Sequence, residues 1–283
     1  MAHATAPERV PLRHVAQQPV VARLRELRGS DELAVQGVDT RAAGQLLDRL
    51  LSCPPGALSL TPSPLWGEGR GEGFPAPRSA ADLSASDRDA LLAALHRATW
   101  GDRITSSLRC PACGEMVDLS FELSALQRQL QPEPAAVHVD GLRALRNAQG
   151  EAFTLPDAST EEAAAMLGLR AGMASLQASI SGADSDADAQ DADALGTTLE
   201  ALAPLLDVEL DAACAECGAS QLVRFDIQSF TLQRLLDERE RLLGEVHALA
   251  GGYGWSLDEI VSLPRSLRRS LATRLAATPS AFG

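Results

Sequence analysis

The sequence predicts an α+β fold, and two kinds of hydrophobic period predict it. Apolar residues alternate with polar ones along Val117–Leu123 and again along Val223–Ile227, which is the period of a half-buried strand. Several longer stretches instead place apolar residues three and four positions apart, as amphipathic helices do. The strand-like stretches are short and lie in two places, so we expect small sheets among helices.

Composition sets the limits of this fold. The chain has 283 residues, of which 45% are hydrophobic and only 4% aromatic, so a core of mainly Ala, Leu and Val is expected. The formal net charge is -13, which argues against a main function in binding nucleic acid. No apolar run approaches the ~20 residues that span a bilayer, and the N-terminus lacks the regions of a secretion signal. We therefore expect a cytoplasmic protein without a membrane partner.

The chain divides into six segments by composition and period. They are an N-terminal helical segment (1–58), a flexible Pro/Gly-rich insertion (59–82), a helix followed by a first cysteine unit (83–123), an inserted region with a hairpin, helices and an acidic linker (124–204), a second cysteine unit (205–230), and a C-terminal helical region (231–283).

Two helices are predicted before the first cysteine pair. Asp39 or Thr40 caps the first helix, and Ser84 with Asp87 caps the second. Their apolar faces comprise Ala43, Leu46, Leu47, Leu50 and Leu51 in the first helix, and Leu91, Leu92, Leu95 and Thr99 in the second. Between them, Thr61–Ala80 is rich in Pro and Gly, has no period, and is expected to be a flexible insertion.

The inserted region is expected to open with a hairpin. Val137–Val139 and Ala152–Leu155 flank a turn at Asn147–Gly150. Ser159 and Glu162 have the spacing of a capping box and predict the start of an alanine-rich helix. The acidic run that follows, GADSDADAQDADALG, predicts a solvated linker.

The C-terminal region is expected to be helical throughout. Thr231–Ala250 carries leucines on one side and a DERER run on the other, and Gly251–Gly252 is expected to end this helix. Ser256 and Glu259 form a second capping box. Pro264 suits the first turn of a last helix.

The two cysteine units are an internal repeat without gaps, each with the order strand, Cys-x-x-Cys-Gly, strand. A shift of 104 positions aligns Cys110 with Cys214, Cys113 with Cys217, Gly114 with Gly218, and Leu119, Phe121, Glu122 and Leu123 with Val223, Phe225, Asp226 and Ile227.

Matched Cys-x-x-Cys pairs of this kind predict a metal site. Four thiolates arranged as a tetrahedron are the ligands of a structural Zn²⁺, and glycine after the second cysteine permits the left-handed backbone of the turn. We therefore predict one structural zinc ion on Cys110, Cys113, Cys214 and Cys217. The fold would then be a split zinc ribbon surrounded by helices. A site closed by four protein ligands leaves no position for a reacting water, so its role would be structural.

Other chemistries remain as alternatives. A thioredoxin-like redox protein places one Cys-x-x-Cys at the start of a helix, whereas strands follow both pairs here. An iron–sulfur cluster also accepts four thiolates, but the two glycines favour a single ion. Cys53 has no partner and is expected to be an inert thiol. We find no phosphate loop, nucleophile elbow or His ligand pair, and expect a protein that is not an enzyme.

The last segment offers an alternative function as a DNA-binding transcription regulator. A short capped helix, a break and an arginine-bearing helix could form a helix-turn-helix, with Arg265, Arg268, Arg269 and Arg274 facing phosphates. The chain is acidic overall and the break is a Leu-Pro junction. The favoured interpretation is therefore an amphipathic bundle with a solvated basic face.

Three runs together carry a resemblance to a known family. GDRITSSLRCPACGEMVDLSFEL, CAECG with VRFDIQSF, and the ending LLGEVHALAGGYGWSLDEIVSLPRSLRRSL resemble proteins of contractile tails, similar to the baseplate hub assembly chaperones of T-even phages and found with phage-tail-like injection particles. The resemblance covers roughly 27–58, 83–123 and 205–275. It implies hub or spike proteins of the baseplate as partners. By the same resemblance, Tyr253, Trp255, Pro264 and Arg265 would contact the partner.

Overall fold

The computed structural model describes residues 8–16, 20–51, 61–62, 77–131, 137–147, 150–181 and 189–277. Helices and small antiparallel sheets alternate along these ranges, so the predicted α+β class is confirmed. Cys53 and most of the predicted Pro/Gly-rich insertion lie outside the described residues. Within the described ranges, no helix is both long enough and apolar enough to cross a bilayer.

The described part of the N-terminal segment starts with strands, which the expected helical segment over 1–58 did not include. Its elements are β1 (Glu8–Leu12), β2 (Val20–Leu24), α1 (Gly29–Ala34), α2 (Thr40–Leu50) and a short β3 (Thr61–Pro62). β1 and β3 pair antiparallel with the two edges of β2. Strand β1 buries Val10 and Leu12, but it is only five residues long and contains Pro11, so its period is weak in the sequence.

The two helices predicted before the first cysteine pair are confirmed. Asp39 caps α2 by accepting a hydrogen bond from the amide of Ala42. Ser84 caps α3 (Ala85–Trp100) by accepting from the amide of Asp87. The predicted apolar faces of both helices are buried apart from the half-exposed Thr99.

Each cysteine pair lies in the turn of an antiparallel hairpin, as predicted. β4 (Arg103–Arg109) pairs with β5 (Met116–Glu122), and β9 (Asp207–Ala213) pairs with β10 (Ser220–Asp226), both without a register shift. A helix follows each hairpin directly: α4 (Leu123–Gln129) and α8 (Ile227–Asp237).

The inserted region contains a three-stranded sheet, so the predicted hairpin partners were wrong. The strands are β6 (Val137–Gly141), β7 (Ala144–Asn147) and β8 (Ala152–Thr154), in that spatial order. Val139 therefore pairs with Leu145 in the middle strand, and Leu145 pairs with Phe153. The middle strand was missed because LRALRN has no clear alternation.

Three helices complete the insertion: α5 (Ala158–Met166), α6 (Leu169–Ser181) and α7 (Ala189–Leu202). The cap of α5 is Asp157, whose carboxylate accepts from the amide of Thr160, and not the predicted Ser159. The second half of the predicted acidic linker is the start of α7.

The C-terminal region folds as α9 (Arg239–Tyr253), α10 (Leu257–Ser262) and α11 (Arg265–Ala277) after α8. The single helix predicted over 231–250 is wrong, because the chain breaks at Glu238 between α8 and α9. Gly251–Gly252 does not end α9, which continues to Tyr253 and is capped by Gly254 at a φ of +72°. The Ser256–Glu259 capping box is confirmed.

The main core joins the N-terminal strands and helices to the bases of both cysteine hairpins. It includes Leu47 of α2, Leu91 of α3, Ile104 and Phe225 from the two hairpins, and Leu232 of α8. The cysteine turns lie at the opposite ends of the hairpins, where Cys110, Val117 and Cys214 form a separate small cluster. The core thus fixes both hairpins at their bases.

Candidate metal centre

The backbone of each cysteine turn is organised by the same hydrogen bonds. The amide of Gly114 donates to the carbonyl of Cys110 over 2.9 Å, and the amide of Cys110 donates to the carbonyl of Glu115 over 2.8 Å. The second turn repeats this pattern at Cys214 and Gly218. The glycines have φ values of +79° and +71°, a region in which a Cβ is disfavoured. The predicted need for glycine at this position is confirmed.

The two turns bring all four predicted ligands together. One sulfur atom from each of Cys110, Cys113, Cys214 and Cys217 lies within 4.8 Å of the other three. The Sγ atoms of Cys110 and Cys217 are 3.7 Å apart, and so are those of Cys113 and Cys214. Exchanging the two hairpins converts one of these pairs into the other, so the site has local two-fold symmetry.

Burial follows the same symmetry. The first cysteine of each pair is buried, with Cys110 2% and Cys214 3% exposed, whereas Cys113 and Cys217 are exposed. The inner sulfurs are therefore shielded from water while the outer ones close the site from the solvent side.

The thiols strongly influence each other's ionisation. Amide groups of Cys113 and Ala112 lower the pKa of Cys110 to about 7. The Glu115 amide lowers the pKa of Cys113, but desolvation and the neighbouring thiols outweigh it and raise that pKa to about 12. Four sulfurs this close cannot all carry charge without a counter-ion. The cluster could therefore hold a metal ion, which would supply that positive charge.

The repeat extends beyond the strands that the sequence analysis identified. A shift of 104 positions carries β4 onto β9 and β5 onto β10, and it also brings α3 onto α7 and the start of α4 onto that of α8. A sequence signal for the longer repeat exists, because A-x-D-x-D-A-L-x-x-x-L begins at both Ala85 and Ala189. It was missed because the second copy lies in the acidic run. Each unit is thus helix, strand, cysteine turn, strand, helix.

The four residues predicted to contact a partner fall into two classes. Tyr253 and Trp255 are 42% and 36% exposed, and their rings stack with centroids 4.9 Å apart. Pro264 is half-buried and forms an isolated bridge with Arg28. Arg265 is 4% exposed, and its amide donates to the carbonyl of Leu27 over 2.8 Å. The structure thus leaves the two aromatic residues available and places Pro264 and Arg265 in the interior packing.

The predicted solvated basic face on the last helix is wrong. Arg268 is fully buried and Arg265 nearly so, and each contacts two glutamates, whereas Arg269 is half-buried. The glutamates that neutralise these three arginines are Glu32 of α1, Glu238 between α8 and α9, and Glu245 of α9. Three of the four arginines invoked for DNA binding therefore face the interior, and only Arg274 is exposed.

His14 lies beside a serine and an aspartate in a way that resembles a hydrolytic triad. Its Nδ1 is 2.9 Å from Ser84 Oγ and 3.9 Å from Asp87 Oδ2. A proton relay needs the two partners on different ring nitrogens, whereas both face the same nitrogen here. Ser84 also caps α3, and all three side chains are buried. This group therefore links the N-terminal strand to α3.

Comparisons with protein-family models, with curated proteins and with solved structures find no match to this chain. The resemblance to hub assembly chaperones therefore stays an expectation from the sequence motifs.

Proposed function

We propose that the four cysteines bind one structural Zn²⁺ and that the chain is a non-enzymatic assembly chaperone or adaptor. Its partners would be hub or spike proteins in the baseplate of a contractile phage tail or phage-tail-like particle. The observation that carries the zinc assignment is the sulfur geometry at the two symmetric turns.

The sulfur distances suit a single ion of the size of zinc. A tetrahedron with Zn–S bonds of about 2.3 Å places its sulfurs about 3.8 Å apart. The 3.7 Å separations of Cys110 from Cys217 and of Cys113 from Cys214 agree with this value. A cluster of several iron and sulfide ions would hold the cysteines further apart. With zinc bound, the two hairpins would form a split zinc ribbon.

A zinc ion here would join segments that are about a hundred residues apart in sequence. The hairpins carry the inserted region between them, so the ion would close a long loop and restrict the unfolded chain. In the proposed role, zinc keeps the body rigid and other surfaces contact the partner.

Two exposed apolar surfaces support a role in protein assembly. The first is the aromatic tip, which we define as Tyr253, Trp255 and Leu257; Leu257 is 54% exposed. The second is the tip of the α5–α6 hairpin, where four large side chains lie in solvent: Met166 (87%), Leu167 (57%), Leu169 (83%) and Met173 (54%). Clustered exposed apolar groups mark protein interaction sites, and methionine adapts well to different partner surfaces.

The resemblance supports the identity of the partner. The aromatic tip belongs to the ending with the Tyr253-Gly254-Trp255 motif, and the combination of the cysteine turns with this ending is more specific to the family than the turns alone. Gly254 holds the left-handed conformation that turns the chain between the two rings. The motif thus coincides with an exposed part of the surface.

The proposal is tested by co-purification with baseplate subunits. Tagged zinc-loaded protein is co-expressed with hub, spike and sheath subunits of a contractile tail, and retained subunits are identified by mass spectrometry. We expect a hub or spike subunit to be retained by the wild type and lost from the Tyr253→Ala/Trp255→Ala variant. Leu222→Ala, which changes an exposed apolar residue on β10, serves as the matched control. Retention of no tail subunit by the wild type would overturn the proposed partnership.

A further inference from the structure

A cleft with a volume of about 270 Å³ lies away from the cysteine turns. Its walls are strand β1, helix α3, helix α4 and the Pro204–Leu206 segment that leads into β9. Because α4 begins where β5 ends, the cleft is at the base of the first cysteine hairpin, whereas the cysteines are at its tip. The aromatic tip contributes no residue to its lining.

Four arginines from different elements converge on this cleft. Arg9 and Arg13 lie in and just after β1, Arg97 lies in α3, and Arg128 lies in α4. Arg97 of α3 donates to the side-chain amide oxygen of Gln127 in α4, another lining residue. Among the described residues, the guanidinium groups of Arg9, Arg13 and Arg128 have no carboxylate partner, and all three residues are exposed. In a chain with a net charge of -13, this is a local concentration of positive charge.

Among the described residues, the two acidic residues in the lining form no ion pair with Arg9, Arg13 or Arg128. Both oxygens of Asp87 are engaged, since they accept from the amides of Arg13 and His14 over 2.7 and 3.0 Å. Asp89 accepts from the amide of Leu206 over 2.9 Å, and burial raises its pKa to about 7. The free guanidinium groups therefore remain available to a ligand from solution.

We propose that this cleft, which we call the arginine cleft, binds an acidic peptide segment of a partner protein. Carboxylates of the peptide would accept hydrogen bonds from Arg9, Arg13 and Arg128, because the planar guanidinium matches a carboxylate with two parallel bonds. The inference goes beyond the proposed function and does not depend on which protein supplies the segment.

The lining favours a peptide over a nucleic acid. Apolar groups of Pro11, Leu130 and Leu206 contribute to the walls and suit the methylene groups of acidic side chains. None of the described residues that line the cleft is aromatic, so bases would find no ring there to stack on. The negative charge of the rest of the chain would also repel a long polyanion, whereas a short acidic segment meets only the cleft.

The test uses a fluorescein-labelled hexaglutamate peptide and the zinc-loaded full chain, with binding followed by fluorescence anisotropy. We expect saturable binding that weakens as salt rises, and no binding of the matching hexaglutamine peptide. The Arg9→Gln/Arg128→Gln variant should bind hexaglutamate at least about tenfold more weakly, since two charge-assisted contacts are lost. Arg170→Gln, which removes an exposed arginine on α6, should leave the affinity unchanged.

Three results would overturn the inference. They are the absence of hexaglutamate binding, an equal loss of affinity in Arg170→Gln, and equally tight binding of a single-stranded oligothymidylate or of inorganic phosphate at the same site. Circular dichroism and thiol counting on each variant exclude unfolding as the cause of a loss. Both arginines are exposed, so the fold should tolerate the change. Failure here would leave co-purification with hub or spike subunits intact, so the two proposals are tested separately.

Discussion

Phe121 and Phe225 occupy equivalent positions of the two cysteine hairpins and meet edge to face, with ring centroids 5.0 Å apart and an interplanar angle of 88°. Phe225 is 5% exposed and also contacts Phe230 of α8 at 5.5 Å. The hairpins therefore approach each other at two places, through the aromatic pair near their bases and through the four neighbouring sulfurs at their tips.

Phe225→Ala should lower the free energy of unfolding by about 3–5 kcal/mol, because it removes a buried ring and leaves a cavity between the hairpins. Urea unfolding of the purified protein measures this change. Leu222→Ala on the same strand removes a side chain that is 68% exposed and should cost less than about 0.5 kcal/mol. Equal stability of the two variants would mean that the hairpin bases do not pack as described.

Cys110→Ser and Cys214→Ser should each abolish stoichiometric metal binding, since each removes one of four ligands and neither turn holds the ion alone. Metal content by mass spectrometry, with a count of reactive thiols before and after chelation, checks this result. Cys53→Ser is the matched control and should keep one ion per chain. Wild-type protein that carries no metal and forms a reversible disulfide would favour the redox alternative instead.

The cysteine site was predictable from sequence because its determinants are local and occur twice. Cys110, Gly114 and the alternation that follows them specify a turn and a strand within fifteen residues, and the second copy gives the partner. Neither the arginine cleft nor the burial of Arg265 has such a signal. Arg9 and Arg128 meet only through tertiary packing, and the glutamate that neutralises Arg265 and Arg268 lies more than 230 positions away.

Arg268→Ala should be destabilising, by up to about 3–5 kcal/mol, because it removes the fully buried cation that Glu32 and Glu245 share and leaves each carboxylate with only its remaining arginine partners. Arg268 Nε donates to Glu245 over 2.8 Å, and one of its terminal nitrogens donates to Glu32 over 2.6 Å. Arg241→Ala also removes a partner of Glu245, but the Arg241 side chain is 60% exposed. This change should therefore lower the free energy of unfolding by less than about 1 kcal/mol. Chemical denaturation measures both changes, and similar values for the two would show that Glu32 and Glu245 do not depend on Arg268.

Asp89→Asn should change how stability depends on pH. Burial raises the pKa of Asp89 from 3.8 to about 7, so between these values the folded chain binds a proton that the unfolded chain has released. The wild type therefore loses stability as pH rises through this window, by up to about 1.4 kcal/mol per pH unit, and the neutral Asn does not. Denaturation midpoints measured from pH 4 to 7 should show that Asp89→Asn gains stability relative to the wild type as the pH rises. Asp118→Asn, on the exposed face of β5, is the control and should show no such gain.

His96 should make stability depend on pH in the opposite direction to Asp89. The ring is fully buried, 4.9 Å from that of Trp100 and 5.5 Å from that of Phe230. Burial and the charge of Arg234 lower its pKa from 6.5 to about 4, although Asp102 partly offsets them. Between pH 6.5 and 4 the unfolded chain binds a proton that the folded chain does not, so stability falls as pH falls, by up to about 1.4 kcal/mol per pH unit.

His96→Phe isolates this contribution. Neither ring nitrogen has a hydrogen-bond partner among the described residues, so phenylalanine loses no bond and keeps the aromatic contacts. The stability of the variant relative to the wild type should therefore increase as pH drops from 6.5 to 4, in denaturation curves taken at each pH. His247→Gln on the exposed side of α9 is the control for removing one histidine. If the stabilities of His96→Phe and the wild type changed with pH in parallel, His96 would bind a proton as readily in the folded protein as in the unfolded chain. Water would then have to reach the ring between α3 and α8.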